Sequence, residues 1–426
     1  MQTKLRQGKN NPALQHGIET NRSQIILQLI QVFLVGLTIG MTRTVIPGLA
    51  DTEFGLGGQQ FLLLTSFVVV FGAVKAVMNL LAGRFSDRYG RKRVLIAGWL
   101  IAIPIPFMIL YAPGWNWIVA ATFLLGINQG LCWSMTINSK LDLARLDQKG
   151  LINGINEFSG YAAVAIAGVV TAYLVDIMGA RQGLFVFGGM VILLGLLLAI
   201  ISIRETMPWA EAHHINEALT VGETESEQAS LAKMFIQASW HDKTLLALNQ
   251  AGLVEKFTDA LVWIFLPVYF LSQNLSLLEG SAIISVYAMV WGGSQLITGP
   301  LSDKIGRKTL IVGGMWMCGI GVLIIPFTHS VLLWTVEAGM IGIGMAMLYP
   351  TLGAAVADFS PARQRGTLLG VYRFWRDFGY AVGALTMGLV AQWAQVLTAP
   401  FWLASIAMLL SGLFVLLAVP GKVAHG

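Results

Sequence analysis

From residue 24 onward the chain is a succession of apolar runs, each about 17–25 residues long and separated by short polar stretches. A run of that length is what an α-helix needs to cross the hydrocarbon core of a bilayer, and in lipid a helix is one of only two arrangements that satisfy their own backbone hydrogen bonds. Charged residues are 12% of the 426, against 56% hydrophobic, about half the charged share of an ordinary soluble domain. The expectation is an all-α integral membrane protein. Twelve spans fit, at about 24–47, 60–82, 93–112, 115–138, 150–175, 181–203, 244–271, 279–299, 309–328, 331–353, 365–394 and 399–419. They divide the chain into a polar segment 1–23, a six-helix half 24–203, a linker 204–243, a second six-helix half 244–419 and a tail 420–426.

An even number of spans leaves both termini on one side of the membrane. Of the 27 Lys and Arg residues, 21 fall in the amino-terminal segment, in loops 84–93, 139–149, 204–243, 301–308 and 354–365, or at Lys422. The opposite loops hold only Arg181. The positive-inside rule then places both termini in the cytoplasm, and the polar opening gives no sign of a cleavable signal peptide. Cys132 and Cys318 stand alone in apolar runs and read as packing residues.

Two charged stretches repeat. "GRFSDRYGRKR" runs from Gly83 to Arg93, and "GPLSDKIGRKT" runs from Gly299 to Thr309, 216 residues later. The same offset pairs Asp87 with Asp303, Gly90 with Gly306, Arg91 with Arg307, Gly126 with Gly342, Asp142 with Asp358, Gly150 with Gly366 and Phe158 with Phe374. The chain is thus a duplication with its halves in like orientation, a plan that suits alternating access around a central site.

With the motif G-x-x-x-D-[RK]-x-G-R-[RK] present twice, at Gly83, Asp87, Arg88, Gly90, Arg91 and at Gly299, Asp303, Gly306, Arg307, the chain resembles the major facilitator superfamily over essentially its whole length. The resemblance implies two pseudo-symmetric six-helix bundles, a site between them lined by the first, fourth, seventh and tenth helices, and a multi-pass plasma membrane protein, in bacteria of the inner membrane. It also implies a gate. Asp87 would cap the eleventh helix near Gly366 when the cytoplasmic side is closed, since a helix amino terminus favours a carboxylate, while the basic residues lock the loop by ion pairs.

Charges inside spans are costly in lipid and so point to function. They are Arg43, Lys75, Glu157, Glu255, Lys256, Asp259, Glu337, Arg373, Arg376 and Asp377. In the family's arrangement the second and eleventh helices adjoin, as do the fifth and eighth, so Lys75 is expected to meet Asp377, with Arg373 and Asp377 pairing at i and i+4. Glu255 and Asp259 share a face of the seventh helix near mid-bilayer, with Lys256 three residues from Asp259. One of Glu255, Asp259 or Glu157 is the expected carrier of a coupled proton. Proton-coupled drug exporters of the family carry an Arg three residues before the Gln-Gly pair of the fourth helix. Here the pair is Gln129-Gly130 and that position holds Gly126. The fifth-helix stretch "GYAAVAIAG" keeps the family's small residues but not its proline, which preserves close packing.

Aromatics at Trp133, Trp263, Tyr269, Tyr287, Trp291 and Tyr349, and asparagines at 128, 138, 153 and 156, are further candidates for a cavity wall or for interhelical bonds. In the linker, "SLAKMFIQASW" reads as a short amphipathic helix at the membrane surface. His213-His214 has no partner at ligand spacing, so no metal site is expected. Nor do the soluble segments hold a phosphate loop or a nucleophile elbow. The expectation is no enzyme, no cofactor and no nucleic-acid partner, in a monomeric carrier of a small molecule. Three functions fit. The first is a secondary active transporter exporting a small organic compound against protons, as an antiporter. The second is a carrier for organic or inorganic anions using Arg43, Arg373 or Arg376. The third is a receptor or scaffold that moves nothing, which the two gating motifs argue against.

Overall fold

The computed structural model describes residues 14–56, 60–212, 231–361 and 364–421. Within them twelve long helices follow the apolar runs: α1 (Arg22–Thr52), α2 (Phe61–Tyr89), α3 (Arg91–Ala102, resumed as Pro104–Leu110), α4 (Trp115–Leu143), α5 (Lys149–Met178), α6 (Ala180–Ile201), α7 (Lys243–Ser272), α8 (Leu277–Ile305), α9 (Arg307–Ile324), α10 (Val331–Asp358), α11 (Arg365–Ala394) and α12 (Ala399–Ala418). No strand occurs among the described residues. Ten of the twelve are long and apolar enough to cross a membrane on composition alone. The other two, α7 and α11, are 30 residues each and carry the charges at 255, 256 and 259 and at 373, 376 and 377. Those charges need partners inside the protein.

Helices run past the ends the apolar pattern implies. The stretch expected as a loop at 84–93 is helical except at Gly90, because α2 continues to Tyr89 and α3 begins at Arg91. Gly306 plays the same part between α8 and α9. Gly90 has φ 89° and Gly306 φ 97°, a region that strains any residue with a Cβ. One left-handed residue therefore turns the chain from one helix into the next, which is why both copies of the motif need glycine here. Lys140, counted above with a loop at 139–149, lies inside α4 and is fully buried. Its ammonium donates to the Gln28 carbonyl at 3.1 Å.

Across the two halves α2 packs along α11 and α5 along α8, the pairings the resemblance implied. Within the first half α1 approaches α5 so closely that a Cβ at Gly36 or Gly40 would run into the α5 backbone at Gly160 or Val164. That is the packing role expected of "GYAAVAIAG". In the linker, residues 213–230, with His213, His214 and the Glu-rich stretch, lie outside the described residues. The part that follows is held against the protein. It forms a helical turn at Leu231–Ile236 and a π-turn at Gln237–His241, and both are held against α11. The Phe235 ring stacks on Trp375 with centroids 5.8 Å apart, and the Trp375 indole donates to Ser239 Oγ at 2.8 Å.

Candidate functional site

Between the halves lies a cavity of about 620 Å³, within the range that holds small organic ligands. It runs from Arg43 and Tyr380 in the middle of the protein to Leu151, Asp303 and Arg307 at the end carrying the repeated motifs. Helix α11 supplies much of one wall. Arg373, Arg376 and Tyr380 line the cavity, and their spacing of three and then four residues keeps them on one helical face. Lys75 from the adjoining α2, Trp133 from α4 and Glu157 from α5 line the cavity as well. Six lining residues are Lys or Arg, Lys149 and Arg307 being the two at the mouth, and two are carboxylates, Glu157 and Asp303.

At its inner end the cavity is closed by an ion pair between the halves. The Arg43 guanidinium on α1 donates to both oxygens of Asp259 on α7, at 2.5 and 3.0 Å, and both side chains are buried. Tyr287 donates to the same carboxylate at 3.1 Å, and Tyr380 donates to its other oxygen. Lys256 lies 3.8 Å from Asp259 and 3.3 Å from Glu255, with its ammonium 4.8 Å from the rings of Trp291 and Tyr349. Beyond the pair, away from the motifs, aromatic rings fill the path. Trp263 lies under Arg43 at 5.2 Å and meets Phe71 at 4.8 Å and Phe67 at 5.9 Å, and Phe67 in turn meets Trp115 at 5.8 Å. The protein is open at one end and sealed at the other.

Two expected pairings are not formed. Asp377 is bound by its neighbour Arg376, at 3.2 Å, and by Asn79, rather than by Arg373. Residues four apart on a helix share a face, but here the Arg373 side chain turns into the cavity. Lys75 makes no ion pair with Asp377 either. Its ammonium sits among the rings of Phe71, Trp133 and Tyr380, at 5.7, 5.7 and 5.6 Å, where cation–π attraction favours it. Glu157 faces the cavity. Its Oε1 accepts from Asn156 at 2.8 Å and from Trp133 at 3.2 Å, while Oε2 has no hydrogen-bond partner among the described residues. Glu337, by contrast, lies off the cavity and accepts from Thr328 at 3.1 Å.

The repeated motifs form matching ion networks. Arg91 donates to Ser86 at 2.8 Å, to Asp87 at 2.9 Å and to Asp142 at 3.2 Å. Arg307 repeats this with Ser302, with Asp303 at 2.6 Å and with Asp358 at 3.0 Å. The first network has an addition. Glu205, in the linker, accepts from the backbone N–H groups of Arg91 and Lys92 at 2.8 and 3.1 Å and so caps α3. The Asp87 side chain is 72% exposed and makes no described contact with the amino terminus of α11, in a conformation that is open at that end. Arg88 lies over its neighbour Tyr89, with the guanidinium 5.2 Å from the ring.

Of the residues flagged by sequence, Arg43, Lys75, Glu157, Arg373 and Arg376 meet in the cavity, whereas Glu255, Lys256 and Asp259 stand behind its inner end. Trp133 and Tyr349 line it, but Tyr269 packs elsewhere, against Phe401 and Trp334. Three residues escaped notice. Tyr380 continues the α11 stripe one turn past Arg376, and Asn79 lies one turn from Lys75, so helical period was the available signal. Tyr161, one turn beyond Glu157 on α5, carried the same signal.

Comparison with known proteins supports this architecture. The family model described as Major Facilitator Superfamily matches residues 29–254 and again 248–425, one match for each half. A probable 4-methylmuconolactone transporter of Cupriavidus pinatubonensis is 24% identical over 347 residues, covering 79% of this chain and 74% of that protein. An uncharacterised MFS-type transporter of Burkholderia mallei is 23% identical over 389 residues, covering 86% of this chain and 85% of its own length. Among solved structures, that of a D-xylose–proton symporter superposes with a TM-score of 0.73 at 16% identity, covering 93% of this chain and 98% of that one.

Proposed function

Because the chain belongs to the major facilitator superfamily, we propose that it takes up a small organic anion together with protons, by alternating access across a bacterial inner membrane. Membership makes it a multi-pass secondary carrier and not an enzyme. The anion, the proton and the direction are our reading. Charge carries it: of the six cations lining the cavity, Arg43, Arg376 and Arg307 are held by carboxylates, and Lys75, Lys149 and Arg373 remain against Glu157. In a recess walled by apolar helices, that excess draws anions in and keeps cations out. The Cupriavidus relative, named for a methylmuconolactone, is consistent with a small organic substrate.

Glu157 is the best-placed proton carrier. It is the only carboxylate among the described residues that lines the deep part of the cavity, and one of its oxygens has no hydrogen-bond partner among them. Asp259 is already held by Arg43 and two tyrosines, and Glu255 stands behind the wall beside Lys256. A proton on Glu157 removes a negative charge from the cavity, which favours the anion, and by reciprocity the anion favours the proton. Mutual support of this kind belongs to symport, so we propose symport in place of the export expected from sequence. With the motif end facing the cytoplasm, as its cations suggest, the open cavity is the state that releases substrate inside.

Purified protein in liposomes with an imposed inward proton gradient tests this. Small carboxylates should accumulate with proton entry. Glu157→Gln should abolish gradient-driven accumulation while exchange of labelled for unlabelled anion persists. Equal transport of neutral or cationic solutes would sink the anion reading, and proton exit coupled to anion entry would establish antiport instead.

A further inference from the structure

The cations of the cavity are not equally free to meet a substrate. Arg43 is held by Asp259 and Arg376 by Asp377, while at the mouth Arg307 is held by Asp303 and Asp358. Lys149, also at the mouth, is partly open to solvent. Two deep cations remain. Lys75 is only 9% exposed, its ammonium lies among aromatic rings, and it makes no ion pair or hydrogen bond among the described residues. Arg373 lines the same cavity, with no ion pair or hydrogen bond among the described residues. An uncompensated charge is expensive at this depth, and a protein that keeps two of them facing one recess has left them for a ligand.

We propose that the substrate is a small dicarboxylate, with one carboxylate taken by Lys75 and the other by Arg373. This rests on the anion-carrier reading above and goes further in fixing the number of charges and where each is bound. Lys75 sits beside the ring of Tyr380, and Arg373 is seven residues nearer the mouth on the same helix as that tyrosine, roughly 10 Å along the axis. One carboxylate cannot serve both depths well, but two joined by a short carbon bridge can. Between them the rings of Trp133, Tyr161 and Tyr349 offer flat apolar walls for that bridge. With Glu157 protonated, the two unpaired cations leave the deep cavity at +2, and a dianion restores neutrality. Lys75 belongs to the first half and Arg373 to the second, so a bound dicarboxylate also ties the halves together at the α2–α11 seam.

The test compares matched acids on full-length purified protein: terephthalate and adipate against benzoate and hexanoate, with the neutral diamide adipamide as control. In the wild type, dicarboxylates should protect against thermal unfolding at concentrations at least about tenfold lower than monocarboxylates, as expected for a second charge-assisted contact. Lys75→Gln and Arg373→Gln should each remove that preference, so that both classes bind alike, whereas Lys75→Arg and Arg373→Lys should largely keep it. Melting without ligand reports whether each variant is folded, and if none is, the wild-type comparison decides alone. Equal protection by mono- and dicarboxylates, or a preference that survives both Gln substitutions, overturns the two-point assignment while leaving the anion reading standing. Protection by adipamide equal to that by adipate overturns both.

Discussion

Arg43 and Asp259 show how much one pair of side chains settles. Each is buried, 3% and 0% exposed, and removing either partner takes away the other's principal counter-charge, a loss of up to about 3–5 kcal/mol. Arg43→Gln and Asp259→Asn should therefore each lower the thermal unfolding temperature markedly, and the double variant should recover part of the loss. Melting curves of the three proteins in one detergent check this, and strictly additive losses would show that the two residues are energetically independent. All three variants should transport poorly, because the pair also closes the inner end of the cavity. Sequence placed both residues on the right helices but gave Asp259 only its local neighbour Lys256, a contact that is present at 3.8 Å. The stronger partner lies on another helix. Which charges meet across helices depends on rotation and tilt, and spacing along one chain records neither. The same blindness produced the expected pairing of Arg373 with Asp377, where the rotamer turns the guanidinium into the cavity instead.

At the scale of the element, the two motifs were legible because their residues repeat at one offset, and the structure turns that repeat into two like networks around Arg91 and Arg307. The helix ends were not legible. Hydropathy falls at Gly83, yet α2 continues for six more residues to Tyr89, since the Arg91 network and the Glu205 cap satisfy polar groups that a hydropathy pattern treats as loop. Gly90→Ala should cost roughly 1 kcal/mol from its left-handed backbone, and more because the new Cβ would press on the Glu205 carboxylate. The loss should appear as a lowered melting temperature that Gly83→Ala does not show, since a Cβ added at Gly83 meets nothing within 4 Å. Asp87→Asn is expected to behave differently. Its carboxylate is 72% exposed, which keeps the pair with Arg91 to about 1 kcal/mol, and Arg91 retains Asp142, so expression and melting should hold while turnover slows, if the carboxylate meets α11 in the closed state. Unchanged turnover at normal expression would confine Asp87 to its own half.

For the molecule as a whole, the twelve helices and the twofold plan could be read from apolar runs and the 216-residue offset, but the conformational state could not, because one sequence must serve both ends of a transport cycle. Here the motif end is open, and the opposite end is shut by the Arg43–Asp259 pair and the rings around Trp263. That arrangement makes an orientation-dependent prediction. Leu369 lines the cavity on α11, whereas the native Cys132 and Cys318 are fully buried and should stay silent. A single Leu369→Cys substitution should thus react with a membrane-impermeant maleimide in inside-out vesicles and not in right-side-out ones. Supplying an inward proton gradient and a transported anion should slow the reaction, as the cavity spends time facing the other way. Labelling only from the outer side would place the motifs and both termini outside the cell, against the charge count that put them in the cytoplasm. Labelling from both sides at once, independent of gradient and substrate, would describe a pore, and alternating access would fall with it.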